Sequence, residues 1–73
     1  MDIRETMTPK QFKDARRGLG YSQQALADEW GMGANGGRTI RRWESGQRPL
    51  NPVAAYAIRL MLSENQRGFT ITA

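Results

Sequence analysis

Helix-start signals recur along this short chain and favour several short helices over any other fold. Thr8-Pro9 and Asn51-Pro52 each place a capping side chain before proline, the residue favoured at the first helical position. Ser22 is a third capping residue, and glycines follow the apolar helical patterns. The predicted helices cover roughly residues 9–17, 23–30, 36–46 and 52–63. We therefore expect an all-α fold of four helices, ending in a short C-terminal strand or a frayed tail.

Composition narrows the possible functions. A chain of 73 residues forms one domain at most, and it contains neither cysteine nor histidine. A disulfide framework, a thiolate metal site and the usual general base are thus excluded, and we expect no enzyme, no metal and no cofactor. The apolar stretch 53–62 is too short to span a bilayer, and the N-terminal residues lack a secretory pattern, so we expect a cytoplasmic protein. The net charge of +4 favours a polyanionic partner.

Residues 38–48 concentrate that positive charge in one segment. On a helix, Arg38, Arg41 and Arg42 share one face, while Ile40 and Trp43 lie on a neighbouring face. The segment is therefore predicted to bury one side and to press the other against an anionic surface. A helix, a glycine-rich turn and an arginine-bearing helix are typical of small proteins that place side chains in the major groove of DNA.

The last predicted helix carries two apolar stripes. The stripe with the more complete helical spacing predicts the core-facing side: Val53, Tyr56, Ala57, Leu60 and Met61. Ile58 and Leu62 form a second stripe outside that face. Phe69 and Ile71 alternate with polar residues, as in a short strand.

Three fragments in this order resemble the phage repressor and Cro family of helix-turn-helix proteins, also called the XRE type. They are ARRGLGYSQQALA (15–27), IRRWESG (40–46) and Arg48-Pro49. The resemblance implies a compact four- to five-helix bundle of the lambda-repressor-like DNA-binding type, whose second and third helices form the unit that reads DNA. The implied organisation is an N-terminal arm (1–7), a DNA-binding domain (8–63, with the reading unit at about 22–46) and a C-terminal tail (64–73).

The same resemblance implies roles for individual residues. Arg38 and Arg42 align with positions that contact base edges, where arginine favours guanine. Arg16 and Glu44 align with a buried salt bridge. The remaining matches are expected to contact the DNA backbone: Ser22, Gln23, Gly37, Arg41, Ser45, Gln47 and Arg48.

The chain departs from the family pattern in two places. The turn at 32–37 is longer than usual, and we expect it to bulge beside the start of the reading helix. Few residues remain for a fifth helix, so a dimer or partner contact must come from elsewhere. Ile58 and Leu62 on the last helix, or Phe69 and Ile71 as an added strand, are the candidates.

The function implied is transcription regulation by a small Cro-like or autoregulating repressor of a phage or mobile element in a bacterial cell. Its expected partner is a two-fold symmetric double-stranded DNA operator, bound as a homodimer and without a membrane. One alternative is the antitoxin of a toxin–antitoxin pair, which represses its own promoter and also binds a toxin. Another alternative is a protein-interaction adaptor that kept the fold and lost DNA binding.

Overall fold

Four helices follow one another along the chain. The computed structural model describes the backbone of residues 7–71 and the side chains of residues 7–65. The helices are α1 (Pro9–Gly18), α2 (Gln23–Glu29), α3 (Gly36–Ser45) and α4 (Pro52–Ile71). The backbone of residues 7–71 forms no β-strand, so the predicted all-α class is confirmed and the predicted C-terminal strand is wrong within that range.

The predicted helix starts are confirmed in atomic detail. The Thr8 hydroxyl accepts a hydrogen bond from the Gln11 amide at 3.1 Å, and the Gln11 side chain accepts one from the Thr8 amide at 2.9 Å. Ser22 caps α2 by accepting from the Ala25 amide at 3.0 Å. Asn51 Oδ1 accepts at 2.8 Å from the amide two residues later. Each cap satisfies an amide that has no partner within its own helix.

The hydrophobic core lies where the four helices meet. Its buried members are Phe12, Leu26, Ala27, Ile40, Ala54 and Ile58. The Phe12 ring stands edge-on to Trp30 and Trp43, with ring centroids 6.2 and 6.0 Å apart. Edge-to-face contacts of this kind add to the free energy gained from burying the rings themselves. Both tryptophans therefore serve as packing residues along the rim of the core.

Most of the predicted stripe of α4 faces away from the core. Three of its large residues are solvent-exposed, Val53 by 72%, Tyr56 by 67% and Leu60 by 50%, whereas Met61 packs against the core as predicted. The buried residues of α4 are Ala54, Ala55 and Ile58. Because Phe12 and the two tryptophans also lie in or against the core, α4 approaches it through two small alanines and Ile58. Most of the larger stripe is left on the outside.

Helix α4 also continues beyond its predicted end near residue 63. The first part of the predicted C-terminal tail (64–73), expected to hold a short strand or a frayed end, is helical as far as Ile71. Polar residues at 63–67 suggested a loop, but none of them is a proline and each is compatible with a helix. Phe69 and Ile71 therefore belong to a helix rather than to an added strand, and their side chains lie outside the described residues. None of the helices within residues 7–71 is long and apolar enough to cross a membrane.

Candidate nucleic-acid interface

Two glycines set the start of α3 directly against α2. Gly36 and Gly37 are both buried. A Cβ atom at Gly36 would lie 2.6 Å from the Cβ of Ala27, and one at Gly37 would lie 2.5 Å from Oε1 of Gln24. Real Cβ atoms do not approach so closely, so the contact at Gly36, which is with another Cβ atom, requires glycine. At Gly37 the nearest atom is the movable end of the Gln24 side chain, while Cα and Cβ of Gln24 lie at 3.1 and 3.2 Å. The last two residues of the predicted bulge (32–37) are thus the packed first turn of α3.

The side chain of Gln24 ties the glycine-rich turn to both helices. Its Oε1 accepts a hydrogen bond from the Gly37 amide at 3.0 Å, while Nε2 donates to Asp28 Oδ1 at 2.8 Å and to the Gly33 carbonyl at 3.4 Å. Gly37 is therefore buried with its amide already engaged, which corrects its predicted contact with the DNA backbone. Sequence reasoning missed Gln24, because the partners of its side chain are fixed by the turn rather than by helix periodicity.

Arg16 and Glu44 form the ion pair that joins α1 to α3. Arg16 Nε donates to Glu44 Oε2 at 2.7 Å and Nη2 donates to Oε1 at 3.0 Å, and the two side chains are only 8% and 4% exposed. Arg16 Nη1 also donates to the Tyr21 carbonyl at 2.8 Å. Gln23 Nε2 donates to Glu44 Oε1 at 3.0 Å. The predicted salt bridge is present, and Gln23 supports α3 through it.

The outward side of α3 is a face of arginines. Helical geometry places Arg38 at its centre, with Arg41 on the side of α2 and Arg42 on the side of residues 48–52. Arg38 and Arg41 are exposed and Arg42 is half-buried. Among residues 7–65, the ion pairs are Lys10–Asp14 and Arg16–Glu44, so no described carboxylate neutralises this face. Its positive charge is therefore available to an anionic ligand.

Two open grooves flank the arginine face. The groove toward α2 is lined by Gln23, Gln24, Gly37, Arg38 and Arg41. The opposite groove is lined by Thr39, Arg42, Trp43, Arg48, Pro49, Leu50, Asn51 and Pro52. Each groove thus combines arginine with a hydroxyl or amide side chain, the donors that meet phosphate oxygens in protein–DNA complexes. No group of three or more potential metal ligands occurs in the described part of the chain.

The segment after α3 uses its backbone amides internally. The amides of Gln47 and Arg48 donate to the Arg42 carbonyl at 3.0 and 3.2 Å, and the Ser45 hydroxyl donates to it at 3.2 Å. Gly46 makes this tight helix end possible with a φ of 80°. The amides of Gln47 and Arg48 are therefore already engaged within the protein. The exposed side chains of Gln47 and Arg48 remain as donors.

One of the predicted self-association residues is not on the surface. Ile58 is completely buried in the core, so it is not a surface contact, and Leu62 is half-buried; the side chains of Phe69 and Ile71 lie outside the described residues. Within residues 52–65, the large exposed apolar residues of α4 are Val53, Tyr56 and Leu60, which belong to the stripe predicted to face the core. Helical spacing alone could not distinguish the two faces.

Comparisons with known proteins give one short similarity to report. A segment of 36 residues, 49% of this chain, is 54% identical to part of the Type II methyltransferase M1.ScrFI of Lactococcus lactis subsp. cremoris. The matched segment spans 9% of that relative's length. No protein-family model matches the chain. No solved structure matches it either.

Proposed function

We propose that this chain is a sequence-specific binder of double-stranded DNA that regulates transcription. In this proposal the fold is of the lambda-repressor-like type, and α3 enters the major groove with its arginine face toward the bases. The simplest regulatory action is that of a small, Cro-like or autoregulating repressor whose operator overlaps a promoter. The proposed role is to bind DNA and not to catalyse a reaction.

One observation carries this proposal: three arginines without a described acidic partner project from a helix whose own position is fixed by buried contacts. The Arg16–Glu44 pair holds the end of α3, and Gly36 and Gly37 hold its start. A reading helix needs this rigidity, since a bidentate contact to a base depends on exact placement of the side chain. An arginine face that only contacted solvent would not require buried contacts at both ends of its helix.

The geometry supports a division of roles along this face. Arg38, at the centre and in the first turns of α3, is proposed to read a base edge, as is Arg42. Arg41 and Gln23 line one groove and are proposed to meet the phosphates of one strand. Arg48 lines the other groove and is proposed to meet those of the opposite strand.

Further backbone contacts are proposed from residues at the edges of the two grooves. Ser22 and Ser45 have exposed positions at the start of α2 and the end of α3, and Gln47 projects from the exposed segment that follows. Their contacts fix the orientation of the protein on the duplex and carry no sequence information. Variants at these positions should therefore weaken binding to every sequence by a similar factor.

The similarity to a methyltransferase is too short to assign either a catalytic or a regulatory role to this chain. The shared 36 residues are 9% of that protein, too few to fold into a catalytic domain. They are long enough to contain two short helices and a turn. We therefore take from the comparison only that such a segment also occurs inside a much larger protein.

The experiment that tests this proposal is selection of bound duplexes from a random DNA library at near-physiological salt, followed by sequencing. The wild-type chain should enrich an inverted repeat whose half-site centres lie about one helical turn apart. Arg42→Ala should relax the preference at one position per half-site, a loss of ~1–3 kcal/mol of discrimination or roughly 5–150-fold. Arg17→Ala is the matched control, because it removes the same charge from an exposed position on α1.

Two results would contradict the assigned roles. Equal weakening of all sequences by Arg42→Ala would make Arg42 a phosphate contact. Failure of the wild-type chain to enrich any sequence, with binding that disappears as salt rises, would reduce the protein to a nonspecific binder of polyanions.

A further inference from the structure

Over its first three turns, helix α4 is apolar on every side except at Arg59. Arg59 is the one charged residue between positions 52 and 62. A helix that is apolar on all sides normally lies between two layers of protein. Here the inner side packs on the core through Ala54 and Ile58, and the described chain supplies no second layer for the opposite side. The outer side therefore has the composition of a buried surface while it remains exposed.

We define the outer face of α4 by Val53, Tyr56, Ala57 and Leu60, which recur at helical spacing and lie opposite the buried side. The three large side chains form a ridge. Beside that ridge runs an apolar groove lined by Trp30, Trp43, Asn51, Val53, Ala54 and Ala57. One surface thus presents both a projecting ridge and a groove that can receive one.

We propose that the outer face of α4 binds the same face of a second copy of this chain. A two-fold symmetric interface places one patch against itself, and therefore needs a patch that is complementary to itself. Ridge and groove side by side meet that requirement. The four residues of the face are uncharged, so they add no like-charge repulsion between the two copies.

The exposed area indicates that this dimer is weak. A whole aromatic side chain buries ~150–250 Å² and an aliphatic one roughly 60–120 Å², so the ridge, with Tyr56 67%, Val53 72% and Leu60 50% exposed, presents roughly 170–310 Å². A standard stable interface buries about 800 Å² per partner. The ridge alone falls well below that value. Dimerisation should therefore be partial in free solution and complete only when two copies are held side by side.

The proposed dimer extends the proposed function, and its role in DNA binding rests on that function. One reading helix makes few base contacts, and a two-fold operator supplies two half-sites that hold two copies together. The contact between the α4 helices would then make DNA binding cooperative. The existence of the contact, in contrast, can be measured without DNA.

The first test is sedimentation equilibrium of the full chain without DNA over a wide range of concentrations. The wild-type chain should show a reversible monomer–dimer equilibrium. Leu60→Lys should raise the dimer dissociation constant at least about tenfold, because it places a charge in the contact. Asn65→Lys is the matched control: it adds the same charge to an exposed position on α4, well away from the outer face. Thermal melting of both variants, measured on the monomer, checks that the fold is retained.

The second test uses the absence of cysteine from the sequence. A residue close to a two-fold axis lies near its own copy, and a disulfide forms when the two Cα atoms are about 4.4–6.8 Å apart. Among Val53→Cys, Tyr56→Cys and Leu60→Cys, at least one should give a disulfide-linked dimer under mild oxidation. Asn65→Cys should give much less.

The proposal is overturned if the wild-type chain is monomeric at every concentration and no outer-face cysteine forms a crosslink. In that outcome a different protein covers the face, as the antitoxin alternative requires. It is also overturned if Leu60→Lys and Asn65→Lys alter the dimer equally. Loss of DNA binding with self-association intact would refute the proposed function alone. Specific binding to one isolated half-site by a strictly monomeric chain would refute the dimer alone.

Discussion

Replacing Arg16 with methionine should destabilise this fold strongly, because it leaves a buried carboxylate without its cation. Arg16 donates two hydrogen bonds to Glu44 at 2.7 and 3.0 Å, and the Glu44 side chain is 4% exposed. After the substitution, only Gln23 would still donate to that carboxylate. A methionine side chain fills much of the same space, so the loss of charge rather than of volume dominates the change.

The expected magnitude follows from the burial of the pair. Removing one partner of a buried salt bridge costs ~3–5 kcal/mol, whereas an exposed pair contributes ~0–1 kcal/mol. A domain has about 5–15 kcal/mol of stability in total, and a short chain belongs near the lower limit. Arg16→Met should therefore leave the protein close to unfolding at room temperature.

A second variant separates buried charge from lost packing. In Arg16→Met/Glu44→Leu, both charges are replaced by apolar side chains of similar size. Replacing a whole buried pair in this way is often neutral or stabilising. The double variant should thus recover most of the free energy of unfolding that Arg16→Met loses.

Urea unfolding measured by tryptophan fluorescence is the suitable assay. Trp30 and Trp43 are both partly buried against the core, so their emission reports its exposure. Arg16→Met should lower the midpoint without changing the slope of the transition. A loss below ~1 kcal/mol, or a double variant no more stable than the single one, would refute the view that Glu44 is an enclosed charge.

Two further predictions test packing around the candidate site. Gly36→Ala should destabilise the protein by at least ~1 kcal/mol, because its Cβ would lie 2.6 Å from the Cβ atoms of Ala27 and Met32, whereas Gly18→Ala, with nothing within 4 Å, should be neutral or slightly stabilising; equal effects in urea unfolding would contradict this. Ile58→Ala should cost ~2–5 kcal/mol as a core truncation, and Leu60→Ala less than about 1 kcal/mol in the monomer. If thermal melting showed a larger loss for Leu60→Ala than for Ile58→Ala, the stripe predicted from the sequence would be the side that faces the core.

The helix starts could be predicted from the sequence because their causes are local. A capping side chain reaches an amide only two or three residues away, so Thr8, Ser22 and Asn51 act independently of the rest of the fold. The all-α class follows from the same signals. The Arg16–Glu44 contact spans 28 residues in sequence and was expected from the family resemblance, not from residue spacing.

The buried face of α4 could not be predicted in this way. Both of its stripes have helical spacing, and periodicity ranks them only by size and completeness. The choice depends on how much room Phe12, Trp30 and Trp43 leave in the core, which is a property of the assembled helices. A core already filled with aromatic rings accepts alanine more readily than tyrosine.

The packing of the start of α3 against α2 could not be predicted for a similar reason. The sequence at 32–37 reads as a flexible turn, since glycine and asparagine favour turns wherever they occur. Only the path of the chain shows that Gly37 lies against Gln24. The sequence correctly predicts that α3 begins near these glycines. Their close contact with α2 could not be predicted, because it depends on where α2 lies in the folded chain.

The most direct test of the proposed recognition surface is NMR titration of the isotope-labelled chain with a short DNA duplex, following the backbone amides and the arginine side chains. The largest changes should occur along α3 at Arg38, Arg41 and Arg42 and at the start of α2, with smaller changes along residues 45–48. The outer face of α4 should change only as dimers form. Changes concentrated on α1 or α4, with those of α3 unaffected, would contradict the central claim that the arginine face of α3 contacts DNA.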